Sequence, residues 1–155
     1  MSLTKEERQA IAQEAARMPS PRAACLDALR LVQERRGHVP DDALREVASI
    51  LGMSEAELDA VATFYNLIFR RPVGRHVVLV CESVSCWIMG CERLREALSR
   101  ASGAPRGGTS PDGRFTLLPI QCLGDCDHAP ALMVDEDLHR EATPEGAASI
   151  LARYP

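Results

Sequence analysis

The sequence lacks any apolar run that approaches the roughly 20 residues of a membrane-spanning helix. It also lacks a basic excess, because 18 Lys and Arg stand against 22 Asp and Glu, for a formal net charge of −4. Proteins that bind duplex nucleic acid usually carry a basic face, so this charge balance argues against such a partner. We therefore expect no direct membrane insertion and no nucleic-acid binding.

Sequence signatures of catalysis are missing as well. We find no nucleophile–base arrangement, no phosphate-binding glycine loop and no flavin or nicotinamide fingerprint. The C-x-x-C spacing of thiol–disulfide enzymes is also absent, which argues against that class. We therefore expect no complete active site on this chain alone.

The first residues, "MSLTKEERQAIAQEAARMP", are charged and amphipathic and lack the apolar core of a signal peptide. We therefore expect a cytoplasmic protein. Thiols stay reduced in that compartment, where clustered cysteines favour metal binding or catalysis over structural disulfides.

Local signals predict helices throughout the first 70 residues, where apolar residues recur at helical spacing. Capping boxes and proline starts open the predicted helices, and glycines end two of them. The signals are the boxes Thr4/Glu7 and Ser54/Glu57, the starts Ser20-Pro21 and Pro40-Asp41, and the stops Gly37 and Gly52.

The pattern changes after residue 72. "HVVLVC" is a β-branched run typical of a buried strand, and residues 86–101 predict a helix. "SGAPRGGTSPDG" predicts a loop, "RFTLLPIQC", "ALMVDED" and "LHREA" predict strands, and Thr143-Pro144 opens a last helix. The order β-α-β-β-β-α predicts an α+β fold class, with a helical bundle at 1–72 and a second domain at 73–155.

Five of the six cysteines fall in two short clusters, each following the carboxyl end of a predicted strand. Cys81 and Cys86 form C-x4-C, and Cys122 and Cys126 form C-x3-C. Four thiolates on two loops suit a [2Fe-2S] cluster, and Gly124 allows a positive φ where the loop turns around it. A structural zinc site also accepts four cysteines, although zinc ribbons more typically use C-x2-C pairs. Both interpretations remain open from the spacing.

The other candidate ligands are assigned lesser roles. Cys25 lies on the apolar face of a predicted helix and is expected to be a small buried hydrophobe. Cys91 falls in the second turn of the helix predicted at 86–101, so its side chain is expected to point away from the loop of Cys86. His128 follows the second cysteine pair and is expected to be a bystander.

Residues next to the cysteines admit more than one interpretation. Asp125 and Asp127 would lower a cluster's reduction potential or would simply form the turn. Trp87, the only tryptophan, would pack in the core, shield a cluster or contact a partner.

A second group of aromatic residues lies at the end of the fourth predicted helix, within "ATFYNLIFRRP". Phe64, Tyr65 and Phe69 would pack on their own domain or, with Arg70 and Arg71, form part of a subunit interface.

Longer stretches of the chain resemble a known family, the E subunit of bacterial NADH:quinone oxidoreductase, respiratory complex I. The resemblance covers nearly the whole chain. It is carried by "RAACLDALRLVQERRGHVP", "AVATFYNLIFR", "FRRPVGRHVVLVCESVSCWIMG" and "DGRFTLLPIQCLGDCDHAPALMVDED".

This resemblance implies a thioredoxin-like ferredoxin domain behind a helical bundle, with a [2Fe-2S] cluster on Cys81, Cys86, Cys122 and Cys126. It implies single-electron exchange with FMN on a partner subunit of the F type, which also binds NADH, and contact with a larger iron–sulfur subunit of the G type. The complex would hold this chain peripherally at the inner membrane. Related subunits serve NAD-linked formate dehydrogenases and bidirectional hydrogenases, and a zinc-stabilised interaction module is the alternative from another class.

Overall fold

The computed structural model describes residues 2–155, which divide into two compact units. One unit ends at Pro72 and the other begins at Val73. The first is helical and the second contains a five-stranded sheet with helices. The predicted α+β class is therefore confirmed. Within residues 2–155, no helix has the length and apolar content needed to cross a membrane.

The helices of the first unit begin and end at the signals read from the sequence. Both capping boxes form, with the Thr4 and Ser54 side chains accepting from the amides of Glu7 and Glu57. Gly37 adopts a left-handed conformation where the second helix ends. The elements are Lys5–Arg17 (α1), a 3₁₀ turn at Pro21–Ala24, Cys25–Arg36 (α2), Asp41–Leu51 (α3) and Glu55–Phe64 (α4).

The second helix differs from its prediction at the start. Ser20 makes no side-chain capping bond, and Pro21 opens a 3₁₀ turn rather than α2 itself. The fully buried side chains of this unit include Ile11, Leu29 and Leu58, which form its apolar core.

A buried ion pair joins α1 to α2 inside the first unit. The Glu7 carboxylate is only 4% exposed and accepts from Arg36 Nε at 3.0 Å and from Nη2 at 2.6 Å. It also accepts from the Thr4 amide at 2.7 Å, closing the capping box. These donors satisfy the charge that burial would otherwise penalise. Glu7 therefore both caps α1 and holds α1 against α2.

The sheet of the second unit has the order β2-β3-β1-β4-β5, with a parallel pair at its centre. β1 and β3 run parallel, and the other neighbours are antiparallel. The elements are His76–Cys81 (β1), Val84–Ile88 (α5), Cys91–Ser102 (α6), Gly108–Thr109 (β2), Phe115–Ile120 (β3), Leu132–Val134 (β4), Asp137–His139 (β5) and Ala147–Leu151 (α7).

An apolar core lies between this sheet and the helices α6 and α7. Leu94, Leu98 and Leu151 from the helices share one buried cluster with the sheet residues Val78 and Val80. This packing fixes β1 in the centre of the unit, so the strand's carboxyl end has a defined position.

Three predictions for the second half were wrong in detail. The loop over residues 102–113 contains the two-residue strand β2, which is too short for a sequence pattern to reveal. The last helix begins at Ala147 rather than at Pro144, after a turn in which Thr143 Oγ1 accepts from the Gly146 amide at 3.1 Å.

The helix predicted at 86–101 is two helices, α5 and α6, separated at Gly90. Gly90 has φ 92° and ψ 34°, a conformation that a right-handed helix cannot continue through. Cys91 is consequently the first residue of α6 and not a second-turn residue.

Replacing Glu7 by Gln should lower the free energy of unfolding by about 1–3 kcal/mol, because the buried hydrogen bonds from Arg36 would then end on a neutral amide instead of a carboxylate. Arg36 holds the pKa of Glu7 below its ordinary value. The ion pair therefore stabilises the fold above an unfolded pKa of about 4.3, and its contribution is lost as the pH falls through the lowered folded value. Urea denaturation followed by circular dichroism at neutral and acidic pH measures this.

The matched control is Glu14→Gln, which removes a more exposed carboxylate on the same helix. A Glu7→Gln deficit no larger than this control, or one that stayed constant into acid, would contradict the role of the pair.

Replacing Gly90 by Ala should destabilise the second unit by about 1–2 kcal/mol, the usual cost of a left-handed residue with a Cβ atom. No heavy atom lies within 4 Å of the new Cβ, so the cost comes from the backbone alone. Gly90→Asn should cost less, because asparagine tolerates this conformation. Thermal unfolding followed by the fluorescence of Trp87 compares the variants. Equal melting temperatures for all three chains would refute the backbone explanation.

Candidate metal centre

The parallel pairing of β1 and β3 brings the two cysteine clusters to one edge of the sheet. In this register Cys81 lies opposite Ile120, and Cys122 follows only two residues later. The amide of Cys81 donates to the carbonyl of Ala131 at 3.2 Å, so the start of β4 reaches the same edge. Three segments, the end of β1, the end of β3 with the loop after it, and the start of β4, therefore converge there.

The first cysteine pair is buried. Cys81 and Cys86 are each at most 2% exposed and share an apolar cluster with Ala131, against which Ile120 and Leu123 pack. Burial and the neighbouring Cys81 thiol raise the pKa of the Cys86 thiol to about 11. In the metal-free chain Cys86 is therefore protonated at neutral pH, and both side chains are poorly accessible.

The second cysteine pair is exposed and lies on a tight loop. The sulfurs of Cys122 and Cys126 are 3.9 Å apart. Gly124 has φ 82°, as its position in the turn predicts, and its amide donates to Cys122 Sγ at 3.3 Å. This bond, together with the Cys126 thiol, lowers the pKa of Cys122. Cys122 is thus activated towards the thiolate form.

The two pairs are in contact with one another. The Cys81 thiol interacts with Cys86 within the buried cluster and also with Cys122 on the exposed loop. The hydroxyl groups of Ser83 and Ser85, at the start of α5, reach Cys122 and Cys126 respectively. Together the side chains of Cys81, Cys86, Cys122 and Cys126 form a four-thiol site. Apolar residues cover one side of this site, and the exposed loop forms the other side.

The expectation for Cys91 was wrong. Its side chain is 2% exposed and packs in the same apolar cluster as Cys81 and Cys86, rather than pointing away from them. The helix break at Gly90 explains this, because it resets the helical phase and turns the first residue of α6 inward. Burial and the nearby Glu82 carboxylate raise the pKa of the Cys91 thiol. Gly90 was the one feature of the sequence that could have indicated this helix break.

Ion pairs lie around the four-thiol site. Glu82, next to Cys81, accepts from Arg95 at 3.1 Å and from Arg106 at 2.5 Å. Asp125, between the exposed cysteines, accepts from Arg140 Nε at 2.8 Å. Neither aspartate interpretation of the sequence anticipated that long-range pair.

His128 lies beside carboxylates rather than among the thiols, with Nδ1 at 3.2 Å from Asp125 Oδ1 and 3.4 Å from Asp127 Oδ1. Asp125, Asp127 and His128 place one donor atom each within 4.8 Å of one another. The Arg140 ion pair already engages Asp125, and we assign no metal to these three residues.

The interpretation of Trp87 as a core residue was also wrong. Trp87 is 61% exposed, and Val84, Ile88 and Met89 beside it on α5 and its end are exposed as well. These four residues form an apolar surface next to the buried Cys86. In the first unit, Phe64 is 81% exposed and Tyr65 is partly so, whereas Arg70 pairs with Asp41 and Asp59.

The donor set fits an iron–sulfur cluster. Iron in such clusters is held by cysteine thiolates, and backbone amides that donate to the sulfurs are a regular part of these sites. The four-thiol site offers Cys81 at the end of β1, Cys86 on α5, and Cys122 and Cys126 on one loop, and the Gly124 amide already donates to one sulfur. Cys81, Cys86, Cys122 and Cys126 are the residues that would hold the cluster.

Comparison with known proteins agrees with this chemistry. The family model for thioredoxin-like [2Fe-2S] ferredoxin matches residues 11–155. The E subunit of NADH-quinone oxidoreductase from Pseudomonas aeruginosa is 46% identical over 152 residues, covering 98% of this chain and 92% of that protein. The corresponding protein from Escherichia coli K12, which has the same name, is 47% identical over equal shares.

Among solved structures, the NAD+-reducing [NiFe]-hydrogenase in the air-oxidized state is similar in fold, with a TM-score of 0.68 and 24% identity. That match covers 85% of this chain and 23% of the hydrogenase chain. The likeness concerns the fold alone. On the family model and on relatives of nearly equal length, the chain belongs to the thioredoxin-like [2Fe-2S] ferredoxin family that includes the E subunits of NADH-quinone oxidoreductase.

Proposed function

We propose that this chain is an electron-transfer subunit in the NADH-oxidising module of respiratory complex I, with a [2Fe-2S] cluster on Cys81, Cys86, Cys122 and Cys126. The observation that carries the proposal is the convergence of two thiol pairs at one sheet edge, one pair buried and the other exposed. The sequence identity of 46–47% with E subunits over 98% of the chain supports its assignment to complex I.

Each part of the site has a separate task in this proposal. When bound, a [2Fe-2S] cluster takes up and releases one electron at a time. Cys81 and Cys86, backed by Ala131, Ile120 and Leu123, would bind it on the side from which water is excluded. Cys122 and Cys126 would bind it on the side that a partner can approach. All four thiols would lose their protons on binding, because the thiolate is the ligand.

The partners in this proposal are an F-type subunit, which binds FMN and NADH, and a larger iron–sulfur subunit of the G type. The chain would act as an enzyme only as part of that complex, and it would lie peripherally at the inner membrane. The second unit, from Val73 onward, would be the ferredoxin domain, and the helical bundle of the first unit would precede it in the chain.

Two alternatives carry less support. An equivalent subunit of a formate dehydrogenase or bidirectional hydrogenase would share the fold, but the hydrogenase likeness is at 24% identity whereas the E-subunit relatives are at 46–47%. A zinc-stabilised interaction module would use the same thiols in a tetrahedral site. The metal content of the purified protein distinguishes this zinc module from the proposed iron–sulfur subunit.

Anaerobically purified protein should be red-brown and contain about two irons and two acid-labile sulfides per chain. Replacing Cys122 by Ala should abolish most of the visible absorption, because one iron would lose a thiolate. Iron, sulfide and zinc assays on the same sample, with the visible spectrum, make the measurement.

Cys25→Ala is the control for the removal of a thiol, since Cys25 lies in the first unit, and it should keep the full spectrum. A colourless wild-type protein with one zinc would overturn the proposal. A Cys122→Ala protein with a complete cluster would overturn the ligand set, and the buried Cys91 would be the next ligand to test.

In the metal-free chain, iodoacetamide should modify Cys122 fastest and Cys86 slowest. The Gly124 amide and the Cys126 thiol lower the pKa of Cys122, so its reactive thiolate forms at lower pH than in an ordinary cysteine. Cys86 is buried with a pKa of about 11, so its rate should still be rising as the pH approaches that value. Peptide mass spectrometry over a pH series measures both rates.

In the cluster-loaded protein all four thiols should be protected together, while Cys25 reacts at the same rate in both forms. Protection that was absent from either pair after loading would contradict the four-cysteine site.

A further inference from the structure

Asp125 is an enclosed acidic residue in the otherwise exposed ligand loop. Its side chain is only 12% exposed, although Cys122 and Cys126 on either side of it are exposed. Turn aspartates normally reach into solvent, where water satisfies the carboxylate. An enclosed carboxylate needs a cation or several donors instead.

Arg140 supplies the cation from a different part of the chain. Its Nε donates to Asp125 Oδ2 at 2.8 Å across 15 residues of sequence. Arg140 directly follows β5, which ends at the same sheet edge as β1 because His139 lies opposite Leu132, and Leu132 lies opposite Val80. The antiparallel strands β4 and β5 therefore return the chain to the ligand loop.

Two backbone hydrogen bonds next to the Arg140–Asp125 ion pair join the same two segments of the chain. The Glu141 amide donates to the His128 carbonyl at 2.8 Å, and the Ala142 amide donates to the Pro130 carbonyl at 2.9 Å. The segment 140–142 thus holds the segment 125–130 at three points, of which only Arg140 reaches between the two exposed cysteines.

The Asp125–Arg140 pair would also affect the reduction potential of a cluster on this loop. A carboxylate beside a cluster disfavours an added electron, and a guanidinium within hydrogen-bond distance offsets this effect. Other charged groups near the loop are the exposed Asp127 and Glu82 with its two arginines, and the His128 ring lies beside Asp125 and Asp127. Removing Arg140 alone would leave the charge of Asp125 without its main partner.

We propose that Arg140 is a positioning residue for the iron–sulfur site, which through Asp125 holds the Cys122–Cys126 loop in its ligand geometry and balances the charge between those two ligands. The inference rests on the proposed function, because it requires a cluster on that loop. Arg140 itself touches no ligand sulfur in this assignment and acts only through Asp125.

A double-mutant cycle on the full chain tests it, with Arg140→Gln, Asp125→Asn and the double variant. Arg140→Gln should lower the midpoint potential of the cluster and speed the loss of iron to a chelator about two- to fivefold, the scale of a partly exposed ion pair. In the Asp125→Asn background Arg140 is no longer held beside the loop, so Arg140→Gln should no longer change the rate of iron loss and should shift the potential less than in the wild-type background. Arg140→Lys keeps the charge and should keep most of the wild-type potential.

Arg153→Gln is the matched control. It removes the same charge from an exposed arginine beside Tyr154, whose ring lies 5.6 Å from the His76 ring, at the opposite end of β1. It should leave the potential and the rate of iron loss at their wild-type values. An equal shift in this control would mean that net charge is the cause, and the inference would be wrong.

A measurement without the cluster gives a second test. In the metal-free chain, Arg140→Gln should increase hydrogen exchange of the amides in residues 122–128 relative to wild type and to Arg153→Gln. An unchanged potential in Arg140→Gln, or the same shift with and without Asp125, would overturn the inference while leaving the proposed function intact. A wild-type chain that holds no cluster would overturn both.

Discussion

The parallel pairing of β1 with β3 is the constraint on which the candidate site depends. Strands that run parallel end at the same edge, so Cys81 and Cys122 become neighbours although 40 residues of chain separate them. Antiparallel pairing would have placed the two cysteine clusters at opposite ends of the sheet. The apolar core beneath β1 fixes this strand, and the register Cys81 opposite Ile120 then sets where the second loop begins.

The same arrangement gives the site two unlike sides. Cys81 and Cys86 lie in an apolar cluster that excludes water, whereas Cys122 and Cys126 lie on an exposed loop. The burial that raises the pKa of Cys86 and the amide that lowers the pKa of Cys122 are consequences of that difference. A centre that exchanges electrons needs both features, since one side protects the cofactor and the other admits a partner. Ion pairs lie around the site, with Glu82 bound by two arginines and Asp125 by Arg140.

Much of the fold was predictable because its signals are local. A capping box requires only residues three apart, and both boxes, at Thr4 and at Ser54, form as predicted. The glycine that ends α2 and the β-branched run of β1 are equally local, and each specifies its own backbone conformation. The cysteine spacing was informative for the same reason, since ligands on one short loop are close in sequence as well as in space.

The type of each element, the candidate donors and, through resemblance, the family could therefore be read from the amino-acid sequence alone. Which residues meet across the sheet edge depends on long-range packing. The inward side chain of Cys91 depends on a backbone turn at Gly90 that a continuous helical pattern conceals. The pairing of Asp125 with Arg140 depends on strands β4 and β5 returning to one edge, which no local spacing encodes. Exposure of Trp87 likewise depends on which neighbours pack over α5, a long-range property that helical periodicity does not contain.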